Sequence, residues 1–366
     1  MEGSELTKLG SSLPVACVQE LAKEPLRKLG IPPRYIRPDQ HPPNATLPLQ
    51  LPVIDLHKLS TSHHDDEGGH NSTAELDRLH NASKHWGFFQ LINHGVSESL
   101  VDRVKAEVEG FFNLPMEEKQ KYWQRPGEIE GFGQAFVVSE EQKLDWGDIF
   151  FTTALPKHLR KPHLFPNLPL PLRETLEEYS AALKTLALTI LNLMAKSLGM
   201  DQHDIGILFE QGWQTFRMNY YPPCPQPELV MGLNSHSDAV GLTILLQLTA
   251  DTQGLQIKQD GHWVPVVPLP NAFIINIGDI LEIVSNGIYK SIEHRATVNS
   301  DKERISLATF LSPKLDGDLG PAPSLLKNTL SQPEFRRISV ADYYKGYFSR
   351  ELVGKSYVDT MRIHNG

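Results

Sequence analysis

Leu255-Gln-Ile-Lys-Gln-Asp-Gly-His-Trp-Val-Pro-Val-Val-Pro268 reads as two short strands turned on Asp260-Gly261. An Asp-Gly pair supplies the positive backbone angles that a tight hairpin needs. The same texture runs outward in both directions. Gln214–Tyr221 and Leu242–Leu248 precede the hairpin, and Ala272–Ile277, Ile280–Val284, His294–Val298 and Arg304–Leu311 follow it. Many short apolar runs with turn residues between them predict a double-sheet jelly roll.

Upstream of Trp213 the periodicity changes to that of helices. Val15–Glu24, Ala74–His85 and Leu172–Met200 read as helices. Leu100–Phe112 does too, with Leu100, Val101, Val104, Val108 and Phe111 on one side. Leu51–Leu56 and His85–Ile92 read as strands, and Val340–Leu352 as a final helix. The fold class is mixed α/β (α+β): a double-stranded β-helix (jelly-roll) core braced by helices from a helix-rich N-terminal region. The expected organisation is an N-terminal extension over 1–50, an N-terminal region over 51–165, a long bracing helix region over 166–212, the jelly-roll core over 213–315, and a C-terminal helical segment over 316–366.

Bulk properties narrow the class of function. A formal charge of -9 leaves no basic field for phosphates, so no nucleic-acid partner is expected. Two cysteines, Cys17 and Cys224, make no disulfide framework and suit a reducing compartment. Cys224, between prolines, reads as structural. The N-terminus lacks a basic segment followed by an apolar one, so no signal peptide is read. Lys184, Asn192 and Lys196 interrupt the apolar stretch Leu183–Leu198, which reads as a buried helix and not a membrane span. A cytoplasmic monomer acting on a small molecule, with no membrane, is the expectation. The sequons at Asn44, Asn71 and Asn81 read as chance matches, and the His/Asp/Gly-rich stretch Ser60–Ser72 as a solvated loop without ligand spacing.

Chemistry concentrates in Asn234-Ser-His-Ser-Asp238. On a strand, residues two apart face the same side, so His236 and Asp238 can reach one point. His294 lies 58 residues after His236, far enough for the chain to cross the sandwich and return on an adjacent strand. Two imidazoles and one carboxylate on one face leave coordination positions open, as iron(II) oxygenases need. Zinc accepts the same donors, but a zinc hydrolase also needs a nearby general base, and none is visible. Arg304 and Ser306 share a face ten residues beyond His294. An arginine buried beside such a site needs an anion, and a bidentate carboxylate is the natural one. The distal carboxylate of 2-oxoglutarate fits, with Ser306 adding a hydrogen bond. The bland alternative for Arg304 is a salt bridge to Asp301 or Glu303. By strand parity Asn219 and Tyr221 also share a face.

The chain resembles the plant soluble 2-oxoglutarate/iron(II)-dependent dioxygenases over nearly its whole length. The likeness rests on Leu51-Pro-Val-Ile-Asp-Leu56, His85-Trp-Gly-Phe-Phe-Gln-Leu-Ile-Asn-His-Gly95, Asn219-Tyr-Tyr-Pro-Pro-Cys-Pro225, His236-Ser-Asp238, His294 and Arg304-Ile-Ser306. Within that family, Gln19-Glu-Leu-Ala and Pro32-Pro-Arg-Tyr-Ile-Arg37 resemble the subgroup that contains codeine O-demethylase and thebaine 6-O-demethylase. The resemblance implies Fe(II) as cofactor, 2-oxoglutarate and O2 as co-substrates, and ascorbate as a support. It implies that Tyr221 and Asn219 contact the co-substrate. It implies a substrate pocket containing Phe151, Ile149, Arg217 and Phe310, with Ser312 at its rim. Ser312 is neutral where an acid might greet an amine. The implied activity is hydroxylation or O-demethylation of a small aromatic plant metabolite such as an alkaloid, flavonoid or coumarin-type phenolic, with succinate and CO2 as co-products. A non-catalytic binding module, or oxidation of a hormone such as a gibberellin, are the alternatives. His85 and His94 read as hydrogen-bonded packing residues, not ligands.

Overall fold

The computed structural model describes residues 12–23, 30–37, 50–60, 66–249, 251–351 and 354–363. Fourteen strands occur among them. In chain order they are β1 (Val53–Asp55), β2 (Phe88–Ile92), β3 (Gly131–Gly133), β4 (Asp148–Leu155), β5 (Trp213–Tyr221), β6 (Leu233–His236), β7 (Leu242–Gln247), β8 (Leu255–Gln259), β9 (His262–Pro265), β10 (Phe273–Ile277), β11 (His294–Ala296), β12 (Arg304–Ser312), β13 (Asp318–Leu319) and β14 (Ile338–Ser339). An eight-stranded sheet runs β1-β2-β10-β7-β12-β5-β4-β3, and a four-stranded sheet runs β6-β11-β8-β9. Leu255, Ile257 and Val264 of the small sheet pack with Phe88, Ile274 and Leu245 of the large one. This is the expected jelly roll.

The large sheet has two differently used faces, set by the two-residue period of each strand. On β5, Phe216 and Met218 belong to the core that contains the helix Leu170–Leu198. Tyr179 of that helix lies 6.0 Å, ring to ring, from Phe216 and 6.3 Å from Phe273. The register aligns Ile305, Leu307 and Thr309 of β12 with Tyr220, Met218 and Phe216 on this same side. The alternate residues, Thr215, Arg217, Asn219 and Tyr221 of β5 with Arg304, Ser306, Ala308 and Phe310 of β12, face the small sheet. Leu170–Leu198 is long and apolar enough to cross a bilayer. In this fold its apolar side, including Leu176, Leu183, Leu186, Ile190 and Leu191, is buried in the core, where the helix packs against the helices Glu98–Phe112 and Asp66–Asn81 as well as the large sheet.

Several expectations are corrected. Ile280–Val284 is not a strand but part of a helix, Asp279–Val284, buried throughout. A five-residue run, apolar but for Glu282, is too short for its period to tell helix from strand, and here the amides of Asp279 and Ile280 are taken by the carbonyls of Asp238 and Val240. The helix-rich N-terminal half also supplies β1 to β4, including the eight-residue β4, which pairs along β5. The stretch Ser60–Ser72 is helical from Asp66, since a helix runs Asp66–Asn81; 61–65 lie outside the described residues. The strand expected from His85 starts at Phe88, because a π-helical turn occupies Ala82–Trp86 and ends on Gly87 at φ 59°. A Cβ on Gly87 would stand 2.1 Å from the Lys290 carbonyl oxygen, so this close approach requires glycine. His94 hydrogen-bonds Asn271 O and the Val96 amide, as expected, whereas His85 is exposed and does not pack. Leu352, the expected end of the last helix, lies outside the described residues; the helix spans Val340–Phe348.

Candidate functional site

Strand β11 lies between β6 and β8, and its register sets His294 opposite His236. Strand β6 ends at His236, so Asp238 is in the turn beyond it and not on the strand as expected. Two hydrogen bonds bring its carboxylate in instead. Thr243 Oγ1 and Asn276 Nδ2 donate to Asp238 Oδ2 at 2.7 and 2.8 Å. Asp238 Oδ1 is left 3.5 Å from His236 Nε2 and 3.7 Å from His294 Nε2.

The far nitrogens of both rings are fixed. His236 Nδ1 donates to Asn234 O at 2.8 Å, and His294 Nδ1 to Ile292 O at 3.1 Å. A carbonyl only accepts, so each Nε2 presents a lone pair. Burial, then the neighbouring His236, push the His294 imidazole down to about 4, so it is neutral at pH 7. Burial works to raise Asp238, but His294 and then His236 beside it outweigh it and hold the carboxyl well below its usual range. Three buried donors thus converge within 4.8 Å of one another. Their lone pairs repel unless a cation sits among them. The donor set therefore fits a divalent metal with open positions.

A second set adjoins it. Arg304 opens β12 opposite Tyr221, and Ser306 lies opposite Asn219 on one side and Gln247 on the other. Arg304 is buried, and its Nε and Nη2 donate to Gln247 Oε1 at 3.3 and 3.1 Å. Its guanidinium lies 5.4 Å from the Tyr221 ring centre. The two acids weighed as partners are engaged elsewhere: Glu303 accepts from Tyr220, and Asp301 from Ser300. No carboxylate pairs with Arg304 among the described residues. Asn219 Nδ2 donates to Ser306 Oγ at 3.3 Å, while Asn219 Oδ1 is buried without a donor. Arg304, Ser306, Tyr221, Asn219 and the His-Asp-His group all line one cavity. A buried guanidinium without a counter-ion at one end and three metal donors near the other suit a keto-diacid.

A neighbouring cavity shares Arg217, His236, Asp238 and Phe310 with the first. Ile149, Phe151 and Ser312 line it too, so all five residues expected at a substrate pocket meet there. Sequence reading missed Phe136, Trp213, Tyr344, Tyr347 and Phe348 in its wall. Three of these come from the helix Val340–Phe348, and Phe136 stacks on Phe348 at 5.6 Å. It also missed Thr243, Asn276 and Gln247. Parity offered a signal: polar Thr243 and Gln247 fall on one face of an otherwise apolar strand. We expect Thr243→Val to lower Fe(II) affinity about 10- to 100-fold, since it frees the ligating carboxylate to turn. Competition with a chromogenic chelator measures this; unchanged affinity would remove Thr243 from the site.

Comparison with known proteins supplies the family. Residues 212–313 match the model of the 2OG-Fe(II) oxygenase superfamily, and residues 51–168 that of the non-haem dioxygenase in morphine synthesis N-terminal region. The chain is 54% identical to oxoglutarate-dependent flavonoid 7-O-demethylase 1 of Ocimum basilicum, over 99% of this chain and 95% of that one. It is 52% identical to codeine O-demethylase of Papaver somniferum, over 99% and 100%. The crystal structure of JOX2 in complex with 2OG, Fe and JA superposes with a TM-score of 0.85, at 37% identity, over 96% of this chain and 99% of that one.

Proposed function

The chain belongs to the 2OG-Fe(II) oxygenase superfamily and is a 2-oxoglutarate-dependent dioxygenase, and on that premise we propose that it O-demethylates a methoxylated, oxygen-rich aromatic compound of the flavonoid or coumarin type. In this reading His236, Asp238 and His294 hold Fe(II). Arg304 and Ser306 take the distal carboxylate of 2-oxoglutarate, with Tyr221 and Asn219 beside it. Bound together, iron and co-substrate supply the activation of O2, which couples oxidative decarboxylation to succinate and CO2 with oxidation of a substrate C–H bond. The chain itself holds the donors, neutralises the co-substrate and excludes water with an apolar wall. Oxidation at an O-methyl carbon gives a hemiacetal, which loses formaldehyde.

The observation that carries the substrate class is Arg217. Its side chain faces the cavity, and its guanidinium has no hydrogen-bond acceptor among the described residues; Nε is buried without one. Among the described residues, the only carboxylate in that wall is Asp238. A protonated alkaloid amine would meet a cation and no free acid. A carbonyl or phenolate oxygen would accept from Arg217, while Phe151 and Phe310 supply aromatic surface. The basil relative's name, a flavonoid demethylase, points the same way.

A substrate panel scored by mass change is the test. Methoxyflavones or methoxycoumarins should lose CH2, with one formaldehyde and one succinate per turnover, while tertiary-amine alkaloids react poorly. Oxidation of a gibberellin or an amino acid, with every aromatic methyl ether untouched, would overturn the reading. The same reading takes the protein as a cytoplasmic monomer free of membrane, supported by the free, buried thiols of Cys17 and Cys224. Light scattering on the purified chain checks the monomer.

A further inference from the structure

The helix Val340–Phe348 roofs the second cavity with Tyr344, Tyr347 and Phe348. Beyond it the chain returns to the strand that carries His236. Gly354 N donates to Ser235 O at 2.8 Å, and Ser237 N donates to Gly354 O at 3.2 Å. These bonds set Gly354 beside His236 in a parallel bridge, on the edge of β6 away from β11.

The next cations of this tail converge on one acid. Lys355 Nζ donates to Glu282 Oε2 at 2.7 Å and to Ser291 O at 2.6 Å. Arg362 Nη2 donates to Glu282 Oε1 at 2.6 Å. Ser291 N, three residues ahead of His294, donates to Glu282 Oε2 at 2.8 Å. Glu282 is 0% exposed. It stands on the helix Asp279–Val284, whose first amide donates to Asp238 O at 2.7 Å. Glu282 lines neither cavity, and the proposed reaction does not use it. A carboxylate this deeply buried is tolerated only because two cations and an amide satisfy it, so loss of one cation leaves it under-compensated.

We propose that Glu282, Lys355 and Arg362 form a latch that ties the roof of the substrate cavity to the segments bearing the three metal donors. They are positioning residues. They set how well the organic substrate is held, and leave co-substrate binding at Arg304 alone. This rests on the reading that the roofed cavity takes that substrate.

Lys355→Met is the informative variant, because Lys355 is partly exposed and its loss still leaves Arg362 and the Ser291 amide on Glu282. Glu282→Gln, wholly buried, is the harsher companion. In Lys355→Met the amides of Gly354 and Ser237 should exchange hydrogen at least about tenfold faster than in the wild type. KM for a substrate identified by the panel should rise about tenfold, with kcat and the 2-oxoglutarate KM within about twofold. Lys355→Arg should restore most of both. Unchanged exchange would overturn the latch. Faster exchange and a lower melting temperature with an unchanged substrate KM would reduce it to a structural tie and overturn the proposed role. Failure of the panel to find an aromatic methyl ether would instead count against the substrate class, because the KM comparison can be made with whatever substrate it does find.

Discussion

Asp238→Ala should lower conversion of 2-oxoglutarate to succinate at least about 1,000-fold, because metal-borne charge stabilisation is worth several kcal/mol and each 1.4 kcal/mol is a factor of ten. The carboxylate is the one anionic donor of the three. Removing it leaves only the two imidazoles, and Thr243 and Asn276 lose the acceptor they share. Two effects therefore add: a weaker metal site and two buried donors without a partner. Anaerobic metal analysis separates loss of iron from loss of turnover in an iron-loaded chain. Full activity with stoichiometric iron in this variant would contradict the assignment.

Arg304→Met should raise the KM for 2-oxoglutarate by about two to three orders of magnitude, because truncating one partner of a buried charge pair costs about 2–5 kcal/mol. Iron affinity should be unchanged, since Arg304 touches no metal donor. Arg304→Lys should recover only part of the loss. A lysine cannot reproduce the planar fork that here spans Gln247 Oε1 with Nε and Nη2. Steady-state kinetics in 2-oxoglutarate at saturating Fe(II) measure all three proteins. An unchanged KM in Arg304→Met would move the anion site elsewhere.

How much of this was legible before the structure depended on whether the deciding information was local. Hairpin chemistry at Asp260-Gly261 and the two-residue parity of β5 and β12 are written in adjacent residues. They sufficed for the jelly roll and for the shared faces of Asn219 with Tyr221 and of Arg304 with Ser306. The pairing of His236 with His294 needed only the expectation that the chain would return on a neighbouring strand. Asp238 was placed correctly in space by an argument that fails in detail. It lies past the strand end, and hydrogen bonds from Thr243 and Asn276 position it, not strand parity. Thr243 is only five residues on, but strand alternation shows which face it occupies and not that it anchors the carboxylate, and Asn276 comes from a strand 38 residues away. The same holds for Tyr344, Tyr347 and Phe348. Helical periodicity shows that their segment has an apolar side, but not that this side faces the site across from Phe136. Ile280–Val284 was misread because an apolar run of that length suits a buried helix as well as a buried strand.

The central claim is that one chain holds Fe(II) through His236, Asp238 and His294 and 2-oxoglutarate through Arg304. Anaerobic titration of 2-oxoglutarate into the Fe(II)-loaded protein tests it most directly, followed by the visible charge-transfer absorption of a keto acid chelated to iron(II). The account predicts saturation at one equivalent per chain, a higher half-saturation concentration in Arg304→Met, and no absorption in Asp238→Ala. The same absorption at the same concentration in all three proteins would contradict it.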